Sequence, residues 1–110
     1  MSCCLSPAET SIADARNIVV FGQGQFDRSP CGTGTCARMA TLFSKGQLPL
    51  GQDFVNEGIL GTVFRGRLVG EATVGKYKAV IPEITAQAFI TGIQQLIIDP
   101  SDPLKYGFLI

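Results

Sequence analysis

The sequence predicts an α+β fold in which several antiparallel strands wrap around one central helix. Three observations predict it. One stretch, residues 33–45, carries apolar side chains at helical spacing. From Gly46 onward the chain breaks into short β-branched runs separated by glycines and prolines. Within them, Thr62-Val63-Phe64-Arg65-Gly66-Arg67-Leu68-Val69 alternates polar and apolar residues, the period of a half-exposed antiparallel strand. At 110 residues, 45% apolar and 16% charged, the chain suits one small domain and not a disordered segment.

Taken in order, residues 1–12 show no periodicity and read as an unassigned tail or linker, with the domain running from 13 to 110. Ile18 to Phe21 is a β-branched and aromatic run and predicts a short buried strand. Gly22-Gln23-Gly24 breaks it, and Asp27-Arg28-Ser29-Pro30 is a turn cluster. Pro30 disfavours helical geometry at Ser29, so a helix is expected to begin just after it. Over 33–45, Cys36, Met39 or Ala40, and Phe43 form the apolar stripe, widened by Ala37 and Leu42. Cys36 is expected to pack into the core. Lys45 falls in the last turn and Gly46 where a left-handed C′ residue belongs. Strands are expected over 52–56, 61–69, 77–84, 86–91 and 94–98. Asp99-Pro100-Ser101-Asp102-Pro103 makes a rigid turn before a short apolar end, Tyr106 to Ile110.

Composition excludes several function classes. Nine basic residues balance nine acidic ones without a block of either sign, so no nucleic-acid groove or anionic-membrane surface is expected. The longest apolar runs are too short for a membrane span, and the first residues lack the features of a signal peptide. A soluble cytoplasmic protein is the expectation. Histidine is absent, which removes the commonest general base and metal ligand. Cys3, Cys4, Cys31 and Cys36 lack the spacing of a zinc site, so no metal is expected.

Chemistry is concentrated in Asp27-Arg28-Ser29-Pro30-Cys31-Gly32-Thr33-Gly34-Thr35. A turn delivers a cysteine and two glycines to the first turn of a helix. Amides there have no intrahelical partner and carry the positive end of the macrodipole. They favour an anion near Gly32, Thr33 and Gly34, and the thiolate of Cys31 over its thiol. Glycines at 32 and 34 let a carboxylate approach the backbone, and Asp27 offers an anion to an ammonium. The set would grip an α-amino acid. A small buried cysteine and a hydroxyl-capped turn would fit the same spacing, and spacing leaves both readings open. A Walker loop would need Lys after Gly34, and a cysteine phosphatase loop would need Arg at Ala37; neither is present.

The nine-residue segment from Asp27 to Thr35 resembles the second active-site motif of the proline racemase family, which includes hydroxyproline 2-epimerases and trans-3-hydroxyproline dehydratases. Flanking stretches resemble the family too. They are Arg16 to Gly22, Ala37 to Phe43 with Lys45-Gly46, Ile59 to Thr62, Ile81 to Thr85, Ala88 to Gly92 and Asp99 to Pro103. The resemblance covers residues 13–110.

It implies one half of a two-domain, diaminopimelate-epimerase-like fold, and a cofactor-independent enzyme that inverts the Cα of proline or hydroxyproline. In such an enzyme a cysteine from each half serves, one taking a proton as thiolate and the other delivering one as thiol. By position, the resemblance makes Cys31 the second catalytic cysteine. Asp27 would hold the substrate nitrogen, Gly32 and Thr33 amides the carboxylate, and Phe21 the pyrrolidine ring. Dehydratases carry Thr in place of Cys31, so the cysteine favours racemase or epimerase. The family's first motif, cysteine-glycine-histidine, is missing. Gly58 stands where the family usually has Ser, and Ala86 where it usually has Gly.

The chain is therefore expected to be the C-terminal portion of such an enzyme, inactive by itself. Its partner would be the missing half, a separate subunit or a second copy. The alternatives are a non-catalytic binding module for proline-like amino acids and one subunit of a split enzyme.

Overall fold

The computed structural model describes residues 2–8 and 12–110. Its elements are β1 (Ser2–Ser6), β2 (Ala15–Phe21), β3 (Gln25–Phe26), α1 (Gly32–Ser44), β4 (Asp53–Gly58), β5 (Val63–Val74) and β6 (Tyr77–Thr85). The strands form one sheet in the order β1-β2-β4-β5-β6, with β3 also paired to β2. Every pairing is antiparallel except β2 with β4, where Ala15 lies opposite Asn56 and Asn17 opposite Gly58. That parallel pair needs a crossover, and α1 supplies it.

The register around β2 sets up the site. β1 runs along one edge, from Arg16 to Val20. The opposite edge is shared, β4 taking Ala15 to Asn17 and β3 taking Val20 and Phe21. The edge therefore parts around Ile18 and Val19, and the segment from Asp27 into α1 leaves the sheet there. The Asp27 amide donates to the Val19 carbonyl at 3.4 Å.

Helix α1 ends as its sequence dictates. Gly46 adopts φ 71, its amide donates to the Phe43 carbonyl at 2.9 Å, and the Gln47 amide reaches the Leu42 carbonyl at 2.8 Å. These are the bonds of a Schellman motif with Gly46 at C′. Lys45 is the cap residue, one step past the last turn.

Ala15, Met39, Leu48, Phe54 and Leu68 form the core, with Leu42, Phe43, Val80 and Ile84 packed against it. Met39 sits over Gly66 of β5, and a Cβ at Gly66 would lie 2.5 Å from the Met39 Sδ. The helix stripe differs from the expected one. Thr35 and Met39 are buried, whereas Cys36 is only half-buried, because the helix turns Met39 and not Cys36 onto β4 and β5.

Three further differences have physical causes. Of the tail read over 1–12, residues 1 and 9–11 lie outside the described residues, while residues 2–6 form β1. Backbone ladder bonds to β2 make this strand; Leu5 is more than half exposed, so burial leaves no trace in the sequence. The expected strand at 61–69 continues to Val74, through a bulge between Leu68 and Gly70 and a tight turn at Gly75 to β6. The stretches 86–91 and 94–98, expected as strands, pair with nothing. They lie in an exposed arm from 86 to 110, with Ile90 91%, Ile93 97% and Leu96 87% exposed. β-branched composition favours a strand only where a neighbour completes the ladder. The radius of gyration is 18.9 Å, against about 13 Å for a compact chain of this length. Among the described residues no helix is long and apolar enough to cross a membrane.

Candidate active site

A relay of hydrogen bonds holds the segment between β3 and α1. The Asp27 carboxylate accepts the Ser29 amide at 3.0 Å, and the Ser29 hydroxyl accepts the Cys31 amide at 3.1 Å. Cys31 is the N-cap of α1, and its sulfur accepts the Gly34 amide at 3.3 Å. The sulfur thus faces the end of the helix where backbone amides lack intrahelical partners. Cys31 has φ 66 and ψ 117 and is the one described residue other than glycine with positive φ. For an L-residue this conformation costs on the order of 1–3 kcal/mol.

Buried groups hold the cysteine in that conformation. The Thr35 hydroxyl donates to the Cys31 carbonyl at 2.7 Å, and the Thr35 amide donates to the same oxygen at 3.0 Å. The Asn56 amide group of β4 donates to the Thr35 hydroxyl at 2.9 Å and to the Pro30 carbonyl at 3.4 Å. Thr35 and Asn56 are both fully buried. Behind them, a Cβ at Gly58 would lie 3.3 Å from the Pro30 nitrogen, so β4 and the segment meet backbone to backbone.

The two glycines play different parts. A Cβ at Gly34 would lie 3.4 Å from the Cys31 sulfur and 3.3 Å from the Asn17 side-chain nitrogen, so the protein's own packing uses this glycine. A Cβ at Gly32 would meet nothing within 4 Å. The space over the first helical residue is open to a ligand.

Cys31, Thr33 and Gly34 line a cleft of about 500 Å³ whose far wall includes Val19 and Leu5. Arg38 and Lys45 extend it along the helix. Asp27 and Phe21 do not line this cleft. Asp27 is half-buried on the approach to Cys31, and Phe21 is exposed where β2 turns toward β3. A second cavity, about 560 Å³ between Phe43 and Val80 under the β5–β6 hairpin, is lined by Ser44, Glu71, Thr73 and Lys78 and by none of the residues of the Cys31 segment. Burial pushes the Cys36 thiol up from its ordinary pKa, and the neighbouring Cys31 adds to the shift. Among the described residues no cluster of His, Cys, Asp and Glu could hold a metal ion.

The proline racemase family model matches residues 2–109. The chain belongs to the proline racemase family. A proline racemase from Acetoanaerobium sticklandii is 57% identical over 98 residues, covering 89% of this chain and 29% of that one. A 4-hydroxyproline 2-epimerase from Streptosporangium roseum is 53% identical over 96 residues, covering 87% and 29%. Among solved structures, a hydroxyproline epimerase from Agrobacterium vitis with bound trans-4-hydroxy-L-proline superposes with a TM-score of 0.77 at 38% identity, over 98% of this chain and 30% of that one. This family member thus spans less than a third of the length of its relatives. Its mixed sheet with one helix is α+β, and its structural neighbours share the diaminopimelate-epimerase-like fold.

Sequence reasoning placed Cys31, Gly32, Thr33 and Asp27 in one segment but gave no part to Thr35 or Asn56. Thr35 reads as one more residue of a Gly-Thr repeat. Asn56 reads as a polar position in a strand, and only the parallel pairing of β4 beside β2 brings it under Pro30.

Proposed function

We propose that this chain supplies one half of the active site of an amino-acid racemase or epimerase acting on proline or hydroxyproline. Cys31 is one of its two proton-transferring thiols, and no cofactor takes part. The observation that carries the reading is the strained cysteine at the N-cap of α1, its sulfur receiving the Gly34 amide beside open space over Gly32.

The substrate sits over the helix N-terminus. Its carboxylate takes the Gly32 and Thr33 amides, its ring nitrogen faces Asp27, and its ring lies toward Phe21. As thiolate, Cys31 takes the Cα proton; the S–H bond forms, and the C–H electron pair spreads into the carboxylate. Amides aimed at that carboxylate stabilise the growing charge more in the transition state than in the ground state. A thiol on the opposite face then gives Cα its proton and becomes the thiolate. In the reverse direction Cys31 is the thiol that donates.

The opposite thiol comes from a partner polypeptide corresponding to the rest of the relatives' length. The exposed arm over 86–110, with Ile93, Leu96 and Ile97 in solvent, supports the partner. Exposed apolar surface of this extent marks an interaction site.

The test is incubation with L-proline in D₂O, following optical rotation and Cα deuteration. The chain alone is expected to give at most slow deuteration without loss of rotation, abolished by Cys31→Ser. Racemisation by the isolated chain would overturn the half-site reading. Deuteration unchanged in Cys31→Ser would remove Cys31 from the chemistry. Pyrrole-2-carboxylate, planar at the reacting carbon, is expected to bind no tighter than about millimolar and to shift the Gly32 and Thr33 amide resonances. Equal shifts in wild type and Asp27→Ala would remove Asp27 from the site.

A further inference from the structure

We infer that Thr35 and Asn56 are positioning residues for Cys31, acting as a buried clamp that keeps the sulfur on the Gly34 amide. This inference rests on the reading of Cys31 as a proton-transfer group.

A cysteine at φ 66 does not stay there by preference. Released, its backbone relaxes toward negative φ, and its Cβ–Sγ bond swings away from the helix N-terminus. Something must oppose that motion, and the hydrogen bonds around the residue show what does. Ser29 holds only the amide of Cys31, on an exposed-to-half-buried turn. The carbonyl is held from within the core, by the Thr35 hydroxyl at 2.7 Å.

A hydroxyl has one proton to give. By giving it to the Cys31 carbonyl, Thr35 leaves its oxygen to accept from a neighbour, and the Asn56 side-chain amide fills that need at 2.9 Å. The second proton of the same amide reaches the Pro30 carbonyl at 3.4 Å. Asn56 therefore holds the peptide before Cys31 directly and the peptide after it through Thr35. Both side chains are fully buried, where water cannot replace a lost partner.

The arrangement has a cost that packing alone would not select. The Asn56 Oδ1 is buried and has no hydrogen-bond partner among the described residues. An apolar side chain of similar size would avoid that cost and serve a purely structural position better. The donor end is what the site uses.

The experiment reads amide hydrogen exchange and thiol reactivity in the full chain with the other three cysteines replaced by Ala. Three variants are compared: Thr35→Val, Asn56→Leu and Thr35→Ser. The first two keep the branched heavy-atom shape and remove one hydrogen-bonding group each; the third keeps the hydroxyl. In Thr35→Val and Asn56→Leu, exchange at Gly34 and Cys31 is expected to accelerate about tenfold relative to Leu42 and Phe43, which sit at the far end of the same helix. The rate of Cys31 alkylation by iodoacetamide should change with it. Thr35→Ser is expected to restore both.

A uniform acceleration along the helix in both Val and Leu variants would mean a merely structural role and overturn the inference. So would unchanged Gly34 protection. Because exchange reads geometry without substrate, failure of the clamp is separable from failure of the Cys31 assignment, which proline deuteration tests. Should Thr35→Val not fold, Asn56→Leu carries the same comparison from the β4 side.

Discussion

Replacing Gly66 by Ala tests the core that carries the site. The added Cβ would lie 2.5 Å from the Met39 Sδ and 2.8 Å from its Cε, where carbon contacts settle at about 3.5–4.0 Å. Met39 is fully buried, so its end can retreat only by displacing Phe54 or Leu68, its neighbours in the core. Overpacking of this kind costs about 1–3 kcal/mol, and the flexible thioether places it near 2. Exchanging glycine for alanine inside a strand returns about 0.5–1 kcal/mol. The net loss is about 1–1.5 kcal/mol, a fall in Tm of about 5–10 °C. Met39→Val removes both atoms the Cβ would meet. In that background Gly66→Ala should become neutral or stabilising by about 0.5 kcal/mol, a coupling of about 1–2 kcal/mol. Urea unfolding of the four proteins in the cycle measures it. Equal cost in both backgrounds would refute the contact and leave Gly66 explained by strand conformation alone.

Further expectations concern charge and strain. Cys31→Gly and Cys31→Ala both remove the thiol, but only alanine keeps a Cβ at φ 66; the glycine variant should be the more stable by about 1 kcal/mol, and equal midpoints in urea would deny the strain. Cys36, raised first by burial and then by Cys31, should label at lower pH in Cys31→Ser than in wild type, by the smaller part of its shift. Because its folded pKa is raised, its contribution to stability is complete below the ordinary thiol pKa and is lost as pH rises through the folded value. The Ser101 hydroxyl and amide hold the Asp99 carboxyl below its ordinary pKa, so the turn they close should persist above that value and loosen as pH falls through the lowered one; an NMR titration of Asp99 unmoved by Ser101→Ala would contradict this.

Helix α1 was legible because its ends are punctuated: Pro30 forbids an earlier start, and Gly46 supplies the positive φ of its stop. β2, β4, β5 and β6 carried branched or alternating residues and lie close to their expected places. β1 was not legible, since Ser2–Ser6 is held by backbone pairing and Leu5 is more than half exposed. The arm was misread for the opposite reason: its isoleucines speak for a strand, but among the described residues no neighbour pairs with it. At the candidate site, residue types pointed to Cys31 and its glycines, because close approach leaves a compositional mark. The clamp left none. Thr35 and Asn56 are separated by 21 positions and meet only through the crossover. The stripe placed Cys36 inside because periodicity gives a face of the helix but not which edge of that face meets the sheet.

The parallel pairing of β2 with β4 has a kinetic meaning. The bond from the Val55 amide to the Asp14 carboxylate closes a sequence separation of 41, whereas β5 and β6 join through a turn between Val74 and Tyr77. A hairpin closes in about 1–10 μs, but the crossover must bring distant segments together before any contact rewards the lost chain entropy. The hairpin and the helix should then be organised at the folding barrier, and the junction of β2, β4 and the Cys31 segment completed after it. Thr35→Val would accordingly steepen the rate of unfolding and leave folding nearly unchanged, while a substitution at the Gly75 turn would slow folding. The Cys31 end of this chain is the part that forms last and opens first.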